Sequence, residues 1–164
     1  MDTEPLPTIA IGCDHAGLAL KRALTDALRA AGHDVLNLGT HDDRRVDYPD
    51  FAHAVCAAVE AGRAQRGVLI CGSGVGMAIA ANRHPGIRCA VASETTTARL
   101  CREHNDANVI AMGARLIDEA TARRILRVFL GTPFEGGRHM QRLDKLAPLP
   151  SADGKSLAVQ GATV

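Results

Sequence analysis

The sequence predicts an α/β fold, a three-layer sandwich around a five-stranded parallel sheet. Three observations point to it. Short β-type runs alternate with longer helical patterns along nearly the whole chain, which is how βαβ units read in sequence. The strand-like runs are almost continuously apolar, as expected of strands covered on both faces. Each run is bounded by Gly, charge or turn residues.

The first strand is expected at 8–13 (TIAIGC). Behind it Leu18, Leu20, Ala23, Leu24, Ala27 and Leu28 recur at helical spacing, and Gly32 stands where a helix would end. The second strand falls at 34–39 (DVLNLG) and a crossover helix at 51–60. The third strand, 67–71 (GVLIC), runs into a glycine loop and a short helix at 77–81. The fourth, 88–92 (RCAVA), leads to a helix over 95–102. The fifth, 108–113 (NVIAMG), leads to a helix over 119–130 with Asp118 as its N-cap. The layering is Rossmann-like. Residues 148–164 lose this periodicity and are expected to form a flexible tail behind one domain of residues 1–147.

A chain of 164 residues suits one domain. With 46% hydrophobic residues, 23% charged residues and a net charge of +1, it reads as a packed globular protein. Near-neutral charge and 2% aromatic content argue against nucleic-acid binding, which uses basic surfaces and stacking platforms. The opening MDTEPLPT is acidic where a signal peptide is basic, and no run of about 18 apolar residues occurs, so neither export nor a membrane span is expected. Five cysteines, Cys13, Cys56, Cys71, Cys89 and Cys101, with no C-x-x-C pair, fit free thiols in the reducing cytoplasm.

In open parallel sheets ligands bind off the carboxyl ends of the strands. The first strand ends in Cys13-Asp14-His15 and the third in Cys71-Gly72-Ser73-Gly74-Val75-Gly76; His104-Asn105, just before the fifth strand, is expected to gather with them. The glycine loop can form an anion nest of backbone N–H groups, or it can be only a tight strand-to-helix turn. It does not match the dinucleotide fingerprint, because Met77 or Ile79 takes the place of the third glycine, so NAD is disfavoured. A nucleophile elbow also fails, since Cys71 and Val75 flank Ser73 where glycines are needed. Gly154-Lys155-Ser156 is no P-loop, because Leu149 occupies its required glycine.

Cys71, beside a helix N-terminus, reads either as nucleophile or base or as a small core residue. Asp14-His15 and His104-Asn105 are pairs able to move protons near neutral pH, although a lone loop histidine is more often only solvated. No histidine has a recognised zinc spacing, so no metal is expected. Arg138 and Arg142, four residues apart with His139 beside them, can clamp a phosphate if helical, or form an exposed basic helix end.

Six blocks occur in order: GCDHAG (12–17), VDYPDFA (46–52), ICGSGVGMAIAANR (70–83), REHNDANV (102–109), GAR (113–115) and EGGRHMQR (135–142). Together they closely resemble the type B ribose-5-phosphate isomerases, in the family that also holds the allose-6-phosphate and galactose-6-phosphate isomerases. The likeness runs from about residue 9 to residue 146. It implies an aldose–ketose isomerase without metal or other cofactor, a homodimer or dimer of dimers whose sites lie between subunits.

The resemblance also implies roles. Cys71 would be the base that carries a proton between C1 and C2, and Ser73 would help relay the proton between the two oxygens. The N–H groups from Gly72 through Gly74, Val75 and Gly76, with Asn105, would hold the developing oxyanion. His104, assisted by Asp14, would open the furanose ring, and Tyr48 would line the sugar site. His15, Arg115, Arg138 and Arg142 would bind the phosphate, some from the neighbouring subunit. Some members of the family use a glutamate in the glycine loop instead of the cysteine; here Val75 and Met77 carry no carboxylate, so the cysteine branch applies. In the galactose-6-phosphate enzyme one of the two kinds of subunit lacks the cysteine, and keeping Cys71 argues against that role. The expected reaction interconverts D-ribose 5-phosphate and D-ribulose 5-phosphate through a cis-enediolate. The alternatives are a hexose 6-phosphate isomerase, whose pocket houses one more hydroxymethylene unit, and a module that binds a sugar phosphate or nucleotide without chemistry.

Overall fold

The structure is a computed structural model that describes residues 6–146. The expected tail at 148–164 lies outside the described residues. The five strands are all parallel: β1 (Ile9–Cys13), β2 (Val35–Asn37), β3 (Arg66–Cys71), β4 (Cys89–Val91) and β5 (Val109–Gly113), in the order β2-β1-β3-β5-β4. The helices are α1 (Leu18–Ala30), α2 (Tyr48–Glu60), α3 (Val75–Ala81), α4 (Thr95–Asn105), α5 (Glu119–Gly131) and α6 (Met140–Asp144), with short 3-10 turns at His15–Gly17 and Gly137–His139.

The continuous apolar strands are explained by the two cores. Ile9 and Ile11 of β1, Val68 and Ile70 of β3, and Ile110 and Met112 of β5 pack with α1, α4 and α5. Their alternate neighbours Ala10, Leu69, Cys71, Val109 and Ala111 pack with α2 and α3. Side chains of successive strand residues point to opposite faces, so two covered faces give an unbroken hydrophobic run. Cys71 thus belongs to the α2/α3 side, with the smaller side chains.

Helix ends follow local chemistry. Gly32, with φ +91, closes α1, and His33 N–H returns to the Leu28 carbonyl at 3.0 Å. The Asp118 side chain accepts Thr121 N–H at 2.7 Å and caps α5 as predicted. α2 begins at Tyr48, three residues before the expected start, because Pro49 has a fixed φ suited to a first helical turn. α4 runs past 102 to Asn105. Arg102, 3% exposed, secures that end by donating to Asp106 Oδ1 at 2.7 Å and the Ala107 carbonyl at 2.6 Å, while Asp106 turns the chain at φ 44.

Strand order sets the place for chemistry. From β1 the chain crosses to β2 on one side, and from β3 it crosses to β4 on the other. The crevice at this topological switch lies off the carboxyl ends of β1 and β3, at Cys13-Asp14 and Cys71-Gly72.

Candidate active site

Cys71 is the last residue of β3 and is 5% exposed. Its Sγ accepts a hydrogen bond from the Gly74 N–H at 3.1 Å, which fixes the sulfur at the mouth of the loop. Gly74, the N-cap of α3, has φ +79, and a Cβ there would meet the Met112 backbone at 2.9 Å. No other residue satisfies both restraints without shifting the loop. Ser73 is exposed, and its Oγ accepts the Val75 N–H at 3.3 Å.

The walls come from neighbouring elements. The Tyr48 ring lies over Gly76, where a Cβ would come within 2.6 Å of it. The Arg115 guanidinium lies over Gly72, 3.1 Å from where a Cβ would stand, and its main chain is tied to the loop by Arg115 N–H to the Gly72 carbonyl. Asp14, buried at the end of β1, accepts the N–H groups of Ala16 at 3.0 Å and Gly17 at 3.2 Å through one carboxylate oxygen. His15 Nδ1 accepts Val46 N–H at 3.3 Å, so a neutral ring carries its proton on Nε2. Asp14, His15, Tyr48, Cys71, Ser73, the loop and Arg115 therefore share one edge of the molecule.

His104 and Asn105 do not share it. The expectation that they gather at the carboxyl ends of the strands is overturned. α4 leaves the carboxyl end of β4, runs antiparallel to the strands and returns the chain to their amino ends, as a crossover helix must. The Asn105 carbonyl accepts Arg88 Nε at 2.9 Å, just ahead of β4, and Asn108 leads directly into β5. The length of β5, about 13 Å at roughly 3.3 Å per residue, separates this corner from Cys71. Arg138 lies in the 3-10 turn and Arg142 in α6, and His139 between them stacks on His104 with ring centroids 4.5 Å apart. Both arginines are exposed and, among the described residues, neither forms an ion pair. The candidate residues thus fall into two groups at opposite ends of the sheet.

Two features had little or no signal in the sequence. Lys21 is 1% exposed and donates from Nζ to Asn37 Oδ1 at 2.7 Å and to the Thr40 carbonyl, holding the loop between β2 and α2. Its signal was a lysine three residues from Leu18 and from Leu24, on the buried stripe of α1. His104, Glu135 and His139 bring their ligand-type atoms within 4.8 Å of one another. The first two lie 31 positions apart, so no local spacing could announce the group.

Residues 9–146 match the model of the family described as Ribose/Galactose Isomerase. The chain is 45% identical over 141 residues to ribose-5-phosphate isomerase B of Escherichia coli, covering 86% of this chain and 95% of that protein. A relative from Pectobacterium atrosepticum, named D-erythrulose-4-phosphate isomerase, is 40% identical over 141 residues, 85% of this chain and 92% of that one. The structure of ribose-5-phosphate isomerase B from Clostridium thermocellum matches with a TM-score of 0.84 and 47% identity, covering 85% of this chain and 94% of that one. That of the Mycoplasma genitalium enzyme with bound ribulose-5-phosphate matches with a TM-score of 0.81 and 39% identity, over 85% and 93%. The match spans both groups of candidate residues and all five strands. The chain belongs to the ribose/galactose isomerase family and is an aldose–ketose isomerase.

Proposed function

We propose that the protein interconverts D-ribose 5-phosphate and D-ribulose 5-phosphate through a cis-enediolate, with Cys71 as the base. The observation that carries this reading is the sulfur held at the mouth of a loop whose amides can receive negative charge. Moving a proton between adjacent carbons needs one base that reaches both, and Cys71 ends a rigid central strand, which positions it firmly. Ser73 relays the proton between the two oxygens. The amides from Gly72 to Gly76, with Asn105, stabilise the enediolate. His104, assisted by Asp14, opens the furanose ring, and Tyr48 borders the sugar. His15, Arg115, Arg138 and Arg142 hold the phosphate.

These roles cannot be filled within one chain, because His104, Asn105, Arg138 and Arg142 stand at the far end of the sheet. The working unit in this proposal is a dimer, or a dimer of dimers, in which the amino-end corner of one subunit caps the loop of its partner. The flank between the two half-sites supports this. Exposed Val75, Ile79 and Val91 follow the unpaired edge of β4, and Leu146 lies beside the same edge at its amino end. A two-fold axis across that flank brings each loop to the opposite chain's His104.

Cytoplasmic location is part of the proposal. The five cysteines are unbridged, and no helix among the described residues is long and apolar enough to cross a membrane. The test is turnover of chelator-treated protein on ribose 5-phosphate, allose 6-phosphate and erythrose 4-phosphate side by side. Metal-free activity highest on the pentose is expected; a clear preference for either other sugar would replace the substrate. Cys71→Ala should lower kcat by about 10²-fold or more, the low end of a general base's contribution. It should still bind the sugar phosphate; full turnover in this variant would remove the proposed base.

A further inference from the structure

We infer that His139, with Glu135 behind it, is a positioning residue for His104: it fixes the imidazole plane that meets the sugar ring. The inference rests on the reading of His104 as the ring-opening group. The His139 ring lies parallel to that of His104, 13° between planes and 4.5 Å between centroids. His139 is 3% exposed, whereas His104 is only half-buried, so an immobile ring backs one that faces outward. Glu135 Oε2 stands 3.4 Å from His139 Nε2, beyond a good hydrogen bond, and that nitrogen has no other partner among the described residues. The nitrogen makes no good hydrogen bond, so what His139 offers His104 is the face of its ring. The segment is pinned to the end of α4 by Glu135 N–H donating to the Glu103 carbonyl at 3.1 Å.

The same three groups are a poor metal centre. Imidazole lone pairs lie in the ring plane, and two rings stacked face to face direct them alongside one another instead of onto a common point. What stacking does accomplish is restriction of the His104 side-chain torsions. The ring nitrogens then keep one direction, and the proton transfer that opens the furanose does not wait for a favourable rotamer.

The two halves of the reaction separate this role from a merely structural one. Ribose 5-phosphate enters as a closed ring. Ribulose 5-phosphate is open, because its C5 oxygen carries the phosphate and closure from C4 would give a four-membered ring. Exchange of its C1 hydrogen with deuterated solvent therefore needs Cys71 but no ring opening. In His139→Leu, kcat on ribose 5-phosphate should fall about tenfold, a part of the 10²–10⁴ that a general acid or base contributes, while exchange into ribulose 5-phosphate stays within about twofold. His139→Phe, which keeps the stack, should recover most of the loss, and Glu135→Gln should fall between them. Equal loss in both assays, or no loss in either, would overturn the inference. His104→Asn run beside them tests the underlying reading: if it leaves ribose 5-phosphate turnover intact, ring opening is not the task of His104.

Discussion

Five thiols in one small protein differ mainly in what surrounds them. Burial pushes the Cys13 and Cys101 thiols up to about 11 and Cys56 up to about 12, and it raises Cys89 as well. A raised value means fewer thiolates at any pH below it, so at pH 8 a thiol at 11 is ionised in about one molecule in a thousand. Cys71 differs in geometry, with its sulfur at the loop mouth and an amide donating to it. Iodoacetamide at pH 8 should therefore modify Cys71 first, with activity falling in step. Mass spectrometry of the quenched reaction checks it, and Cys13 or Cys101 reacting as fast as Cys71 would sink the argument. Lys21 makes the companion case for a buried cation, whose amine burial holds below its ordinary value. Lys21→Met fits the space but leaves the Thr40 carbonyl without a donor, while Asn37 Oδ1 keeps the Gly39 N–H. It should cost about 1–3 kcal/mol for the orphaned carbonyl in urea unfolding. An unchanged midpoint would mean that water replaces the ammonium.

At the scale of elements, strands were legible because burial on both faces leaves one signature whatever the neighbours are. Boundaries were less so. β2 was expected over 34–39, but the regular strand spans only Val35–Asn37; Leu38, Gly39 and Thr40 still bond to β1, and Gly39, with φ +102, breaks the extended geometry. The end of α4 falls at His104-Asn105, just before β5, where the sequence places it, and what holds it is Arg102, whose partners Asp106, Ala107 and the Thr132 carbonyl include one from beyond β5. A charged residue four places from an aspartate reads in sequence as a surface pair. Here the guanidinium is 4% exposed and lies 5.9 Å from the centre of the Phe129 ring. Arg102→Met leaves the Ala107 carbonyl unanswered and frees the turn that presents His104 and Asn105. It should destabilise the fold by about 1–3 kcal/mol, the cost of the orphaned Ala107 carbonyl, because Asp106 is 35% exposed and keeps its pair with Arg88. At a temperature where the variant is still folded, kcat should fall more than KM rises, since Cys71 and the amide loop are untouched. A loss confined to stability would show that α4 ends correctly without this arginine.

On the scale of the whole molecule, the glycine loop and Cys71 were legible because strand, loop and helix are contiguous there. The separation of His104 from Cys71 was not, since it follows from the direction in which a crossover helix returns the chain. That same separation yields the sharpest test of how the protein assembles. Cys71→Ala and His104→Asn are each expected to be inactive as homodimers. In a mixed dimer whose sites span two chains, one site joins both mutations, and the other joins the intact Cys71 of one chain to the intact His104 of its partner. Random pairing of equal amounts makes half of all dimers mixed, so about a quarter of wild-type activity should return after subunit exchange. If each site were built within one chain, every site would carry one lesion and no activity would return. Native mass spectrometry of the mixture shows whether exchange took place. Mixed dimers without activity would therefore refute the shared site, and light scattering that finds only monomers would refute the assembly itself.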